Sequence, residues 1–139
     1  MNKIMLLMIL CASVYGCAKQ EIGYLNVSEA EYLPDTVVFK TVLNPDDPDD
    51  ARRIKFGIPY ISQRIQKIQG TLPIRYSIAR IGCDAENSAY LEQFRLTGKA
   101  QVGLPFDHTV PAGSYVFSIA VMNEGHSAVL DSALTVILK

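Results

Sequence analysis

Apolar and polar residues alternate along most of this chain, and no long stretch spaces its apolar residues as a helix would. Period-two alternation puts every second side chain on one face of a strand, so it predicts half-buried strands. The alternating runs are Val37, Phe39 and Thr41; Ile54, Phe56 and Ile58; Ile74, Tyr76 and Ile78; Tyr115, Phe117, Ile119 and Val121; and Leu130, Leu134, Val136 and Leu138. The pattern predicts an all-β fold of antiparallel strands.

Residues that favour turns separate these runs. Proline and glycine at the second and fourth positions of residues 110–113 fit a type I turn, and residues 97–98 and 123–125 can close hairpins. Residues 84–93 form the one plausible short helix, with the first aspartate of that range as its N-cap. Residues 63–69 fit either a bulged strand or an irregular crossover.

The N-terminus carries the pattern of an export signal. A short positive start is followed by nine apolar residues, 4–12, and then by small residues that lead to Cys17. A transmembrane helix needs roughly 20 apolar residues, so this run is too short to span a bilayer. Residues 1–16 are therefore predicted to be a cleaved signal, residues 17–35 a tether with a possible first strand, and residues 36–139 the folded domain.

Residues 14–17, Val-Tyr-Gly-Cys, resemble the lipobox of bacterial lipoproteins, although Tyr15 departs from the small residue usual there, and an ordinary secretory signal is the alternative. The resemblance implies a diacylglycerol on Cys17, which makes membrane lipid a partner. Ala18 implies sorting to the outer membrane, and residues 19–21 are similar to the export tag of Bacteroidota-type surface lipoproteins. The expected location is the cell surface, with the periplasmic face as the alternative.

Charge and cysteine content narrow the range of partners and of covalent cross-links that the chain could have. The chain has 13 basic and 14 acidic residues, and loss of Lys3 with the signal leaves a net charge of 12 − 14 = −2. That balance does not favour a nucleic-acid partner. Cys11 leaves with the signal and Cys17 would be acylated, so Cys83 has no partner for an internal disulfide. Free cysteine is usually a small buried residue, which is the simplest interpretation of Cys83.

Three segments, residues 70–78, 94–102 and 111–123, resemble cadherin-like and immunoglobulin-like bacterial surface modules. The resemblance implies that residues 36–139 form a single antiparallel immunoglobulin-like β-sandwich. The acidic calcium motifs of true cadherins are absent from the sequence. Fold analogy alone therefore does not identify what such a module would bind.

An acidic segment at residues 44–50 is the one candidate metal site. It contains four carboxylates, on Asp46, Asp47, Asp49 and Asp50. Carboxylate oxygens are the ligands that calcium prefers, but the spacing is not that of an EF-hand. The alternative is a solvated charged loop that keeps strand edges apart, with its charge offset by Arg52 and Arg53.

Catalytic chemistry has little support in the sequence. The two histidines, His108 and His126, lie in predicted turns and outside any recognisable motif. A catalytic triad is recognised by geometry, and two lone histidines with one cysteine lack the spacing of zinc ligands. We therefore expect no enzyme activity and no cofactor.

Two kinds of noncatalytic function remain open. Loop aromatic residues could stack on sugars, with Tyr60, Tyr90 and Phe106 the candidate binding residues and Tyr24 and Tyr32 further possibilities. Glycan or other ligand capture predicts an exposed aromatic cluster. The alternative, an assembly subunit such as an adhesin, a pilus-like subunit or an accessory of a membrane complex, predicts an unpaired apolar edge strand. Thr36 and Ser132 also lie in triplets that resemble the O-glycosylation acceptor of Bacteroidota-type secreted proteins.

Overall fold

The computed structural model describes residues 23–139, so the predicted signal and Cys17 lie outside the described part of the chain. The fold is mostly β. Its strands are β1 (Leu25–Asn26), β2 (Thr36–Phe39), β3 (Tyr60–Ile61), β4 (Gln69–Gly70), β5 (Arg75–Gly82), β6 (Arg95–Thr97), β7 (Gln101–Leu104), β8 (Gly113–Asn123) and β9 (His126–Leu138). Helix α1 spans Pro48–Phe56, and a 3-10 helix spans Ala85–Gln93.

The strands form one large sheet, one smaller sheet and a short pair. The large sheet has the order β2-β9-β8-β5, with β2 parallel to β9 and the other neighbours antiparallel. The smaller sheet has the order β3-β7-β6 and is antiparallel. Strands β1 and β4 pair with each other. The tether range predicted to contain a possible first strand thus contributes β1 from its described residues.

A single apolar core joins the two larger sheets. Strand β8 contributes four fully buried residues, Tyr115, Phe117, Ile119 and Val121, and β9 contributes Leu134, Val136 and Leu138. Val102 and Leu104 of β7 belong to the same core. The alternation that predicted these strands is confirmed, because the apolar positions of β8 and of the second part of β9 are the buried ones.

The two predicted hairpins are also present. Two residues, Glu124 and Gly125, connect β8 to β9, and a turn after Thr97 connects β6 to β7. Gly98 and Gly125 both have positive φ, at 52° and 84°, as expected of turn glycines. Farther upstream, the chain bends at Ala112 immediately before β8 begins.

The strand predicted at Ile54, Phe56 and Ile58 is wrong, because this region forms helix α1. The side chain of Asp47 accepts hydrogen bonds from the backbone N–H groups of Asp49 and Asp50, and Pro48 occupies the first turn. Gly57 ends the helix in the left-handed conformation. Capping at both ends outweighed a short apolar alternation, which is weak evidence for a strand.

Two weaker predictions have mixed outcomes. The short helix at residues 84–93 is a 3-10 helix, and the Asp84 side chain makes no capping hydrogen bond. Its backbone carbonyl instead accepts a hydrogen bond from the N–H of Asn87. Residues 63–68 are irregular apart from a single bridge from Gln66 to Glu31, and Gln69 begins β4, so the crossover alternative is the better description.

Candidate functional site

Strand β9 is paired on both edges along only part of its length. Strand β8 pairs with β9 from Leu138 back to His126, whereas β2 pairs with it only from Thr135 to Leu138. Within residues 23–139, no strand pairs with the β2-side edge of residues 126–133. We call residues 126–133 the open half of β9. Val129, in the middle of this half, is 55% exposed.

A bulge separates the open half from the rest of the strand. Phe117 and Ile119 of β8 pair with Leu134 and Leu130, so one β8 residue, Ser118, faces three residues of β9. The Ser118 hydroxyl is buried and accepts a hydrogen bond of 3.2 Å from the N–H of Ser132. Ser132 itself is exposed and has a φ of 50°. Bulges bend a strand and re-aim its side chains, so the open half departs from the line that β2 follows.

The chain segment opposite the open half is held away from it. The backbone carbonyl of Asp35 accepts a hydrogen bond of 2.8 Å from Thr135, which keeps the chain beside β9 at that point. Four residues earlier, Glu31 and Gln66 exchange two backbone hydrogen bonds of 3.2 and 2.8 Å. Lys67 also forms an ion pair with Glu31. The segment therefore diverges from β9 and leaves a gap.

Tyr32 fixes this segment to the core. Its side chain is 1% exposed, and its hydroxyl donates a hydrogen bond of 2.5 Å to the backbone carbonyl of Ala100. Burial raises the pKa of Tyr32, so the phenol remains a neutral donor at physiological pH. The wall of the gap is consequently anchored by a buried side chain as well as by backbone hydrogen bonds.

The gap is an open cleft of about 560 Å³, lined by residues 30–35 on one side and 129–133 on the other. Its rim combines apolar and acidic groups, with Leu33 53% exposed and Val129 55% exposed. Among the described residues, the lining includes three carboxylates, on Glu31, Asp35 and Asp131, and no basic residue. Arg80 lies outside the lining, 3.8 Å from Asp131, and both of these side chains are well exposed. We call this feature the β9 cleft.

The aromatic residues predicted to bind sugars are not gathered at the β9 cleft. Tyr60 is 8% exposed, stacks on Phe39 with 4.9 Å between ring centroids, and lies beneath the Arg53 guanidinium. Burial raises its pKa, and its ring offers no free stacking face. Phe106 is half-buried beside Gly57, and Tyr90 is 36% exposed on the 3-10 helix. Tyr60 is thus a core residue.

The four carboxylates of the acidic segment serve different purposes. Asp47 caps α1, and Asp50 accepts hydrogen bonds from the Lys40 ammonium at 2.8 Å and the Asn44 N–H at 3.0 Å. Asp46 and Asp49 are exposed. Among the described residues, no three His, Cys, Asp or Glu side chains are grouped as a metal site. The segment belongs to a helix N-terminus, which the carboxylates stabilise through the helix dipole.

The histidines and the free cysteine also have identifiable surroundings. His108 is buried, with Nε2 2.9 Å from the Lys40 carbonyl oxygen, and His126 lies 3.2 Å from the carbonyl of Gly23. Cys83 is half-buried against the core, which agrees with its interpretation as an apolar packing residue. Thr36 and Ser132 are both exposed, the first at the start of β2 and the second in the bulge.

No protein-family model, no curated protein and no solved structure matches this chain. Within residues 23–139, neither helix has the length and apolar character needed to cross a membrane.

Sequence reasoning missed the β9 cleft as a site, although one signal for it was present. Ser132 interrupts the apolar run of the last strand, and this polar interruption marks the bulge. The other wall depends on pairings between residues far apart in the sequence, such as Glu31 with Gln66. Alternation within one segment cannot reveal such pairings.

Proposed function

We propose that this chain is a noncatalytic exported lipoprotein, anchored in the outer membrane through Cys17, whose immunoglobulin-like module binds an extended segment of a protein partner in the β9 cleft. Its role is that of an assembly module at the cell surface. The observation that carries the proposal is the open half of β9, which presents a strand edge that is unpaired within residues 23–139, beside an anchored wall. An unpaired edge is a template for an added strand.

The strand order supports an immunoglobulin-like sandwich. If β2, β3 and β5 to β9 are lettered A to G, the large sheet reads A-G-F-C and the smaller sheet reads B-E-D. In immunoglobulin-type domains, strands C, F and G share one sheet, while B, E and D share the other. Here the first strand lies beside the last one in parallel and completes the larger sheet.

A tyrosine at the start of β8 provides independent support. The Tyr115 hydroxyl donates a hydrogen bond of 2.8 Å to the backbone carbonyl of Pro111, four residues upstream. A tyrosine near the start of strand F that bonds back to the preceding backbone is a hallmark of immunoglobulin-like domains. Tyr115 lies at this position when β8 is lettered F.

The expected geometry of the β8–β9 hairpin makes Val129 the central residue for strand addition at the open half of β9. A two-residue turn joins Asn123 to His126, and antiparallel strands exchange hydrogen bonds at alternate residue pairs. The alternation predicts that Ser127 and Val129 direct their N–H and C=O groups away from β8. An incoming strand would bond to these groups and contact the exposed Val129 side chain.

Strand β5 also has a free edge among the described residues, but it is better protected. Arg75 and Arg80 are exposed along it, and a bulge interrupts its register between Ile78 and Arg80. Charged side chains and bulges are the devices that discourage edge-to-edge pairing. The open half of β9 carries its bulge and its exposed charge at residues 131–133, whereas residues 126–130 pair with β8 without interruption. Its exposed valine and the facing wall would together enclose a bound strand.

The chemistry of the β9 cleft favours a basic partner segment. Glu31 is already paired with Lys67, so Asp35 and the well exposed Asp131 are the carboxylates that complement lysine or arginine. Leu33 and Val129 offer apolar contacts to alternate side chains of an extended strand. Tyr32 is the one aromatic residue in the lining, and its ring is buried. The cleft therefore supports peptide binding better than stacking of a sugar.

The test uses a synthetic ten-residue peptide of alternating lysine and valine, with a glutamate–valine peptide as the charge control. We expect the acylated chain in detergent micelles to bind the basic peptide, with slowed hydrogen exchange at the Val129 amide. Val129→Pro removes that N–H and should weaken binding at least tenfold, because proline cannot donate to a ladder.

Val129→Ala is the matched control, since it truncates the side chain while keeping the N–H. It should reduce peptide affinity far less than Val129→Pro. Equal affinity of the two variants, or slowed exchange along β5 in place of β9, would contradict strand addition at the open half.

A further inference from the structure

Three exposed apolar residues lie at one end of the large sheet. Leu72 is 80% exposed, Tyr24 58% and Met122 36%. Met122 pairs with Ser127 one position before the last pair of the hairpin, Asn123 with His126, and Leu72 lies in the loop between β4 and β5. We call this region, together with the Glu124–Gly125 turn, the hairpin end.

Hydrogen bonds hold the parts of the hairpin end together. The side-chain amide of Asn123 donates to the backbone carbonyls of Tyr24 at 2.8 Å and Thr71 at 3.1 Å. The N–H of Thr71 donates to the same Tyr24 carbonyl at 2.9 Å, and the N–H of Tyr24 donates to the Thr71 hydroxyl at 3.0 Å. Tyr24 and Leu72 are therefore carried on a cross-linked backbone platform.

The length of chain before Gly23 limits how far this end can lie from the membrane. Cys17 and Gly23 are six residues apart, and a fully extended chain covers about 3.5 Å per residue, or about 20 Å in all. Strand β8 has 11 residues and is about 33 Å long. If the opposite end of the sheet rested on the bilayer, the tether could not reach the hairpin end. An upright domain must therefore place the hairpin end toward the lipid.

We propose that the hairpin end is a membrane-contacting surface, with Tyr24 and Leu72 seated at the level of the lipid headgroups. The inference rests on the proposed acylation of Cys17, and it adds to that anchor an orientation of the domain relative to the membrane. Tyrosine suits this level because its ring is apolar and its hydroxyl is polar. Contact by exposed apolar side chains adds to the hold of the acyl chains.

This orientation also positions the β9 cleft. Val129 lies three residues along β9 from His126, which is about 10 Å from the hairpin end. The cleft would open sideways, close to the bilayer, where a partner anchored in the same membrane could present an extended segment.

The test places a fluorophore at matched sites on opposite ends of the domain. Leu72→Cys and Val42→Cys are suitable, because both native side chains are 80% exposed. Val42 follows Thr41, whose N–H donates to the Lys139 carbonyl, so it lies beyond the other end of β9. Cys83→Ala removes the remaining thiol. The acylated full chain is reconstituted into phosphatidylethanolamine–phosphatidylglycerol vesicles that contain headgroup nitroxide lipids.

We expect severalfold stronger quenching at position 72 than at position 42. Flotation with the vesicles and equal quenching at the two sites, or stronger quenching at position 42, would overturn the orientation while leaving the lipid anchor intact. Failure to float, with unmodified Cys17 by mass spectrometry, would overturn both the anchor and this inference. Peptide binding at the β9 cleft is measured separately in micelles, so it tests the cleft independently of the orientation.

Discussion

The two parts of β9 belong to one continuous strand but have different surroundings. From Leu134 to Leu138 the strand is paired with β8 on one edge and largely with β2 on the other, and its alternate side chains are buried. From His126 to Leu130 it is paired on one edge only among the described residues, and residues 131–133 form the bulge. The difference arises from neighbours that lie elsewhere in the sequence. A strand stabilises the fold where both edges are satisfied and is available for binding where one edge is not.

The largest expected difference between the two parts is in stability. Leu134→Ala removes a fully buried side chain and should lower the free energy of unfolding by about 2–5 kcal/mol. Val129→Ala, at a largely exposed position, should change it by about 0.5 kcal/mol or less. Urea denaturation of both variants checks this. Equal losses would show that the open half is as well packed as the rest of the strand.

The sequence predicted well the regularly alternating strand β8, which pairs with β9. Tyr115, Phe117 and Val121 alternate with smaller or polar residues, and burial on one face follows directly from that pattern. Helix α1 was missed because alternation at Ile54 and Phe56 was weighted above capping signals at its ends. Those signals, an aspartate before a proline at the start and a glycine at the end, were available in the sequence.

The β9 cleft could be predicted only in outline. The assembly hypothesis predicted an unpaired apolar edge strand, but the sequence did not indicate which strand would provide that edge. That edge depends on where β2 stops pairing with β9, and this depends on Asp35, Thr135 and the bridge from Glu31 to Gln66. These contacts join segments between 35 and 100 residues apart, which a pattern within one segment does not encode.

A second prediction sharpens the comparison at the doubly paired part of β9. Tyr115 pairs with Val136, and Tyr115→Phe removes only the hydroxyl that bonds to Pro111. Loss of one hydrogen bond should cost about 1 kcal/mol. Tyr90→Phe, at a partly exposed tyrosine, is the control and should change stability little. Both changes are measured by chemical denaturation, and an unaffected Tyr115→Phe variant would remove the tyrosine as support for the immunoglobulin-like assignment.

A third prediction concerns how the stability of the region next to β2 depends on pH. The Lys40 ammonium, followed by the Asn44 N–H, lowers the pKa of Asp50 from its usual value. A carboxyl group with a lowered folded-state pKa adds stability above its unfolded-state pKa, and this contribution is lost as pH falls through the folded-state pKa. Acidification below about pH 4 should therefore lower Tm more in the native chain than in Asp50→Asn.

Lys40 directly follows β2, so loss of this ion pair should also loosen the strand that flanks the doubly paired part of β9. Hydrogen exchange along β2 measured across the acid range checks that link. Asp49→Asn is the matched control, because this carboxylate is in the same helical turn but is exposed. It should keep the native pH profile. The same profile in Asp50→Asn would show that the Lys40–Asp50 ion pair does not stabilise this region.

The smallest expected effect is the loss of peptide affinity when one charge is removed from the rim of the β9 cleft. Asp131→Asn removes one exposed carboxylate from the lining and should weaken binding of the lysine–valine peptide about two- to threefold, as expected when an exposed ion pair contributes about 0.5 kcal/mol. Asp46→Asn, an exposed carboxylate near α1, is the control and should leave affinity unchanged. Raising the salt concentration should remove the difference, because exposed charges are screened. An Asp131→Asn effect that persists at 1 M salt would show that the side chain acts through the bulge, whose backbone Ser118 supports, and not through its charge.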